Sequence, residues 1–117
     1  MPKIAVIGSR IYKEFDAFSY RMDYLLYNIK EEIEIVSGGA KGVDTMARLY
    51  AEYKGYKITE FLPEYDKFPS KIAPLKRNHQ IVDYADMLVA FTTGSNGTAY
   101  TINLAKEKQI PIRIIKV

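Results

Sequence analysis

The sequence contains no cysteine, no tryptophan and a single histidine, His79. The lack of cysteine excludes a disulfide scaffold, a thiolate zinc site and a cysteine nucleophile. One histidine excludes a multi-histidine metal centre and leaves only one candidate base for a serine–histidine triad. We therefore expect no metal site and a reducing, cytoplasmic compartment.

Long hydrophobic runs are also lacking. No apolar run approaches the ~20 residues that a membrane span needs, and Met1–Lys3 does not open a signal peptide. The net charge of +3 comes without a basic run, so it permits nucleic-acid contact but does not argue for it. With 117 residues, 48% of them hydrophobic, we expect one globular domain over residues 1–117 and no membrane contact.

Five short apolar runs are the candidate strands, and their continuous hydrophobicity is typical of strands buried on both faces of a parallel sheet. They are Lys3–Gly8, Glu34–Val36, Lys57–Leu62, Met87–Phe91 and Pro111–Val117.

Helical periodicity separates these runs. The predicted helices are one from an N-cap at Asp16 to about Ile29, then Val43–Lys54 ended by Gly55, Ile72–Tyr84 with Pro74 in its first turn, and Thr98–Lys108. Strict alternation of strand and helix predicts a three-layer α/β fold: an open parallel sheet of five strands, with helices on both faces. The connector Pro63–Lys71 is expected to be a structured loop or a lid.

Three polar loops that contain glycine follow the first, second and fourth predicted strands. In an open α/β sheet, ligands bind outside the carboxyl ends of the strands, and a strand order of 3-2-1-4-5 would bring these loops together. Glycine allows backbone amides to approach an anion, and a helix N-terminus adds partial positive charge. The loops supply Gly8, Ser9 and Arg10; Ser37, Gly38, Gly39, Lys41 and Gly42; and Thr93, Gly94, Ser95, Gly97 and Thr98. A phosphate is the expected ligand. The alternative is that the glycines are present only because they permit tight turns between strand and helix.

Several side chains outside these loops are also candidates for contact with a ligand. Asp44 begins the second helix, where the helix dipole favours a carboxylate and where it could also accept a hydrogen bond from a ribose. Arg77 has a planar guanidinium that can donate two parallel hydrogen bonds to a phosphate or a carboxylate, and Asn78 follows it in the sequence. His79 has no paired carboxylate nearby in the sequence. Tyr65 and Tyr100 lie near enough to the loops to stack on a base. Walker, Gly-x-Gly-x-x-Gly and Gly-x-Ser-x-Gly motifs are absent.

Five motifs in order resemble the SLOG superfamily, the Rossmann-like domains related to the DNA-processing protein DprA and to the Lonely Guy phosphoribohydrolases. The resemblance covers nearly the whole chain and is strongest to the small YspA-like branch. The motifs are Val6–Arg10, Val36–Asp44 with Ala47, Arg77-Asn78, Ala85-Asp86 and Gly94–Thr98.

The resemblance implies a nucleotide or a nucleotide-derived ligand such as an ADP-ribose derivative. Carried over by position, Gly8, Ser9 and Arg10 would line the site. The first phosphate cradle would be Ser37, Gly38, Gly39 and Gly42 with Asp44 beside it, and the second would be Gly94, Gly97 and Thr98. The resemblance also implies self-association as a homodimer or a higher homo-oligomer.

The chain departs from the Lonely Guy pattern after this second loop. Those enzymes carry two glutamates there, at least one of them catalytic, whereas this chain has Tyr100 and Thr101. An oxocarbenium-like transition state would lose its carboxylate. We therefore expect a sensor or carrier. The alternatives are an N-glycosidase that uses Asp44, the weak candidate for a catalytic residue, and a binder of single-stranded DNA. The DNA alternative would use the charges of Arg10, Lys41, Lys71, Lys76 and Arg77.

Overall fold

The computed structural model describes residues 1–117 as a five-stranded parallel sheet in the order β3-β2-β1-β4-β5. The predicted fold class and strand order are therefore confirmed. The elements in chain order are β1 (Lys3–Gly8), α1 (Phe15–Leu26), β2 (Glu34–Ser37), α2 (Val43–Lys54), β3 (Lys57–Glu60), α3 (Ala73–Tyr84), β4 (Met87–Thr92), α4 (Asn96–Lys108) and β5 (Ile112–Lys116).

The sheet separates two hydrophobic cores. On one face, Phe18 and Met22 of α1 and Tyr50 of α2 pack on sheet residues such as Ile4 and Phe91. On the other face, α3 and α4 pack on the alternate residues of the same strands. Because successive side chains of a strand point to opposite faces, a strand between two helical layers must be apolar at every position. This explains the unbroken hydrophobic run of β1, whose four central residues are buried.

Several element boundaries differ from the sequence prediction. β3 ends at Glu60, not Leu62, because its only neighbour in the sheet is β2, which ends at Ser37. Asp16 is not an N-cap: the cap of α1 is Glu14, and Asp16 lies in the first turn, where the helix dipole still favours its charge. Helix α1 also ends at Leu26, three residues before Ile29.

Helix ends were otherwise predicted well. Pro74 lies in the first turn of α3, and Gly55 ends α2 in the left-handed conformation at φ 74°. Helix α4 begins at Asn96, two residues before the predicted Thr98. The connector Pro63–Lys71 is structured by turns closed on the carbonyls of Glu64 and Pro69. None of the four helices has the length and hydropathy needed to span a bilayer.

Candidate anion-binding site

A cavity of about 430 Å³ lies at the carboxyl edge of the sheet, between the end of β1 and the helices α3 and α4. The loops after β1, β2 and β4 all reach it, as the strand order requires. Ten of the predicted site residues line it: Gly8, Ser9, Arg10, Asp44, Arg77, Asn78, Thr93, Ser95, Gly97 and Thr98.

The remaining predicted residues lie outside the lining. They are Ser37, Gly38, Gly39, Lys41, Gly42 and Gly94. Ser37 ends β2, and four of the others belong to the loop that follows it. This loop contributes only Ala40 to the lining, and the first turn of α2 contributes Asp44. The structure therefore does not bring the expected first phosphate cradle to the cavity.

The loop after β2 uses its glycines for packing against neighbouring chain segments. Gly42 has φ 72°, and a β-carbon there would overlap the backbone of Ser9 and Arg10. This close approach lets the Val43 amide donate to the Ser9 carbonyl at 3.0 Å, so the N-terminus of α2 is partly satisfied by the loop after β1. Gly38 similarly leaves room for the guanidinium of Arg77.

Side chains of the same segment accept hydrogen bonds from two of its other amides. The Ala40 amide donates to the Asp44 carboxylate at 3.1 Å, and the Gly39 amide lies 3.5 Å from the Ser37 hydroxyl. Ser37 is fully buried. Amides that already have acceptors gain little from an anion. Through these contacts the segment supports the wall of the cavity.

The first turn of α4 is different. Ser95 is the N-cap, but no side chain caps the helix, and the Ser95 hydroxyl instead donates to the Thr98 hydroxyl at 3.1 Å. The first amides of a helix have no intrahelical acceptor, and they carry the positive end of the helix dipole. Gly97 and Thr98 both line the cavity. This helix N-terminus is therefore available to an anion.

Arg77 supplies fixed positive charge from α3. Its side chain is buried, with Nε donating to the Asn78 amide oxygen at 2.8 Å and Nη1 donating to the Gly38 carbonyl. Nη2 has no acceptor within the chain. Burial lowers the pKa of Arg77, although the nearby Asp44 opposes that shift; an arginine nevertheless stays charged at neutral pH. The guanidinium is thus held in one orientation with one edge unused.

Asp44 is the only carboxylate in the cavity lining. Burial raises the pKa of Asp44, and the charge of Glu60 adds to this, while the Ala40 amide and Arg77 act in the opposite direction. The charged lining residues are therefore Arg10, Arg77 and one carboxylate whose ionised form is disfavoured. This balance of charges favours an anionic ligand.

One side of the cavity is an apolar wall that was not predicted from the sequence. Pro74, Leu75 and Ile81 of α3, with Ile7 and Ile11 on the β1 side, line the cavity. Helical spacing within α3 places residues 74, 77, 78 and 81 on one face, and this was the signal that would have linked the apolar residues to Arg77. Thr101 was noted only as a departure from a family pattern, and it also lines the cavity.

The two candidate stacking residues do not reach the lining. Tyr65 is exposed, and Tyr100 places its hydroxyl 2.7 Å from Nε2 of His79 on the outer surface of α3 and α4. His79 is likewise absent from the lining. The connector Pro63–Lys71, predicted as a structured loop or lid, is turn-rich but contributes no lining residue.

The sheet order, the helices on both faces and the cavity at the carboxyl edge define a Rossmann-like α/β domain. The chain belongs to the YspA, cpYpsA-related SLOG family, whose model matches residues 2–68. The resemblance drawn from the sequence motifs is thereby confirmed.

Similar proteins come from several sources. The gene 61 protein of Mycobacterium phage D29 is 29% identical over 118 residues, which cover 96% of this chain and 94% of that protein. DNA processing protein A (DprA) from Streptococcus pneumoniae aligns with a TM-score of 0.77 at 22% identity over 97% of this chain. The chain spans only 50% of that structure.

A molybdenum cofactor binding protein from Rippkaea orientalis aligns with a TM-score of 0.71 at 20% identity, covering 99% of this chain and 77% of that one. At such identities the two solved structures establish a shared fold. A shared fold does not by itself imply a shared ligand.

Proposed function

We propose that this protein binds a nucleotide or a nucleotide-derived phosphorylated ligand in the cavity at the carboxyl edge of the sheet, as a sensor or carrier. The observation that carries the proposal is the arrangement around the uncapped first turn of α4. Arg10 and Arg77 line the same cavity as Gly97 and Thr98. Backbone amides, a helix dipole and two guanidiniums are together a receptor for phosphate.

The remainder of the cavity suits the rest of such a ligand. Its apolar side, formed around Ile7, Leu75 and Ile81, offers a surface for a planar base. Its polar side carries the Thr93, Ser95 and Thr101 hydroxyls and the Asn78 amide. Ligand sites commonly combine an apolar lining with a few placed polar groups, and about 430 Å³ accommodates a nucleoside monophosphate.

The choice of sensor or carrier over hydrolase rests on Thr101. This residue lines the cavity at a position where the family resemblance implies a glutamate for phosphoribohydrolase chemistry. Its hydroxyl donates to the Gly97 carbonyl at 3.1 Å and carries no charge. A glycosidase mechanism through Asp44 remains the alternative, and it predicts release of free base from a nucleoside monophosphate that is lost in Asp44→Asn.

Isothermal titration calorimetry with AMP, ADP-ribose, molybdenum cofactor and inorganic phosphate tests the proposal. We expect at least one of the nucleotide ligands to bind, and Arg10→Ala to weaken it by about 10-fold or more, because a charged hydrogen bond contributes ~1.5–3 kcal/mol. Arg10 is exposed at the cavity, so its replacement leaves the core intact. Arg77→Lys should weaken binding as well, since lysine cannot reproduce the planar fork.

Arg21→Ala is the matched control, because it removes the same charge from the exposed side of α1, outside the cavity lining. Equal losses of affinity in Arg10→Ala and Arg21→Ala would show that the change in net charge alone weakens binding. This result would contradict the proposed site. Failure of every phosphorylated ligand to bind the folded protein would contradict the proposal itself.

Single-stranded DNA is the competing ligand, since one structural relative is a DNA processing protein. It predicts an affinity that falls steeply with salt, in proportion to the number of phosphates contacted. A mononucleotide in a cavity involves one or a few phosphates, so its salt dependence should be shallow. Tight oligonucleotide binding with a steep salt dependence, without mononucleotide binding, would replace our proposal.

A further inference from the structure

Asp44 is a buried carboxylic acid in the wall of a cavity that otherwise favours anions. It lies in the first turn of α2, it is only 7% exposed, and it lines the same cavity as Arg10 and the first turn of α4. A phosphate bound there would share the cavity with the Asp44 carboxyl group. Two negative charges in one site disfavour each other's ionised forms. An anionic ligand and an ionised Asp44 are therefore in conflict.

The contacts of Asp44 do little to stabilise a negative charge. Its Oδ2 accepts a hydrogen bond from the Ala40 amide at 3.1 Å, and the Gly38 amide contributes more weakly. Asp44 takes part in none of the ion pairs of the chain. The guanidinium of Arg77 lies beside Gly38, but it donates to the Gly38 carbonyl and to the Asn78 amide oxygen. A buried carboxylate needs several donors or a paired cation to remain ionised.

The charged groups around Asp44 come from several elements and partly offset one another. Arg77 acts on it from α3 and Glu60 from the end of β3, while Arg10 lines the cavity from the loop after β1. Arg48, one turn further along α2, lies 4.0 Å from Glu60, and the first turn of α4 holds no acidic residue. Burial raises the pKa of Asp44 most strongly, and the backbone amides and Arg77 oppose that shift only in part. The surroundings therefore favour the neutral acid.

We propose that Asp44 carries a proton when the ligand is bound and donates it in a hydrogen bond to an anionic oxygen of the ligand, so that binding takes up a proton from solution. This assignment rests on the proposed function, because it requires an anion in the cavity. A carboxylic acid that an apolar site holds neutral is a hydrogen-bond donor to an oxyanion, and Ile7 and Ile81 line the same cavity. Asp44 thereby selects a phosphate oxygen at this point over a ribose hydroxyl, which the ionised form would prefer.

Proton uptake fixes the direction of the pH dependence. The complex binds more protons than the free protein and the free ligand together, so the association constant falls as the pH rises. For a single proton, the fall is at most about 10-fold per pH unit. An ionised Asp44 that accepts from a ribose hydroxyl predicts the opposite sign, because that contact would stabilise the ionised form and release protons.

Isothermal titration calorimetry in pairs of buffers with different ionisation enthalpies counts these protons between about pH 5 and pH 8. ADP-ribose is the main probe, because its diphosphate is esterified at both ends and lacks the second ionisation of a phosphate monoester at about pH 6. We expect an uptake of up to one proton per ADP-ribose bound. With AMP as the second probe, subtracting the count for Asp44→Asn from that for the parent protein removes the ionisation of the phosphate itself.

Substitutions at Asp44 separate the proton from the side chain. Asp44→Asn keeps a donor and an acceptor but does not ionise, so its affinity should be independent of pH and exceed that of the parent protein at the highest pH. Asp44→Ala lacks the donor and should bind about 10-fold more weakly than Asp44→Asn. Asp83→Asn, on the exposed side of α3, removes the same charge and should keep the proton count of the parent protein. Circular dichroism checks that each variant is folded.

Two results would overturn this assignment and leave the proposed function intact. The first is binding of ADP-ribose with no proton uptake at any pH, or with proton release. The second is an Asp44→Asn variant whose proton uptake and pH dependence match those of the parent protein, which would place the proton on another group. Failure of both ADP-ribose and AMP to bind the folded protein would overturn the assignment together with the proposed function.

Discussion

Asp44 shows how burial controls a single carboxylate in the cavity. Its pKa is raised by burial and by Glu60, against the Ala40 amide and Arg77. For an acid with a raised pKa, the unfolded state ionises first as the pH increases. The unfolded chain then binds fewer protons than the folded one, and the free energy of unfolding falls with rising pH. The stabilising contribution is complete below the ordinary pKa of aspartate, and it is lost as the pH rises through the raised value.

Asp44→Asn should remove this loss, since asparagine does not ionise and its amide oxygen can still accept from Ala40. The free energy of unfolding of Asp44→Asn, relative to the parent, should therefore increase between about pH 4 and pH 7. Urea denaturation across this pH range measures the difference. Asp83→Asn on the exposed side of α3 controls for net charge. A parent protein that gains stability over Asp44→Asn as the pH rises would contradict this assignment.

Residue chemistry predicted part of the site. Arg10, Arg77 and Thr98 were chosen from their chemistry and their positions after strands, and all three line the cavity. Gly38 and Gly42 were chosen on the same grounds, but their backbone packs against Arg77 and Ser9. A glycine that admits a ligand and a glycine that admits another chain segment give the same local signal. Only the fold shows which atoms fill the space.

Among the elements, the contact between α1 and α2 depends on a buried tyrosine. Tyr50 is 1% exposed, and its hydroxyl donates to Asp23 at 2.7 Å, which lowers the pKa of Asp23. Tyr50→Phe keeps the ring and its contacts with Phe18 but removes this donor. We expect a loss of about 1 kcal/mol in the free energy of unfolding, measured by urea denaturation.

The size of that loss should depend on Asp23. In the background of Asp23→Asn the donor has a weaker acceptor, so Tyr50→Phe should cost less than it does in the parent protein. Equal costs in the two backgrounds would show that the Tyr50–Asp23 hydrogen bond does not contribute.

Element boundaries depended on tertiary partners more than on local propensity. The apolar residues Phe61 and Leu62 extended the predicted β3, but β2 offers no further residue for pairing. Helix α4 begins before Gly97, because a glycine is tolerated in a first turn whose amides have no intrahelical acceptor. Local sequence correctly indicated where each element was centred, whereas its ends were set by its neighbours in the fold.

At the scale of the whole molecule, the sheet order is what produces the site. The crossover from β3-β2-β1 to β4-β5 places the end of β1 beside the loop after β4, and the Ser9 amide donates to the Phe91 carbonyl at this junction. Strict alternation of strand and helix predicts a parallel sheet with few possible topologies, and the order 3-2-1-4-5 is the one that brings the three glycine-containing loops together. The apolar wall from α3 was not predicted. Helical spacing does place Pro74 and Ile81 on the same face as Arg77, but the direction in which that face points is fixed only by the packing of α3 on the sheet.

The most direct measurement is an NMR titration of the ¹⁵N-labelled protein with AMP and with ADP-ribose. We expect saturable shifts centred on the amides of Gly97 and Thr98 and on the Nε–H of Arg77, with the amides of Tyr20 and Tyr24 on α1, outside the cavity lining, unchanged. Saturable binding with shifts confined to another surface, or no shifts at the first turn of α4 with any phosphorylated nucleoside, would contradict a phosphate site in this cavity.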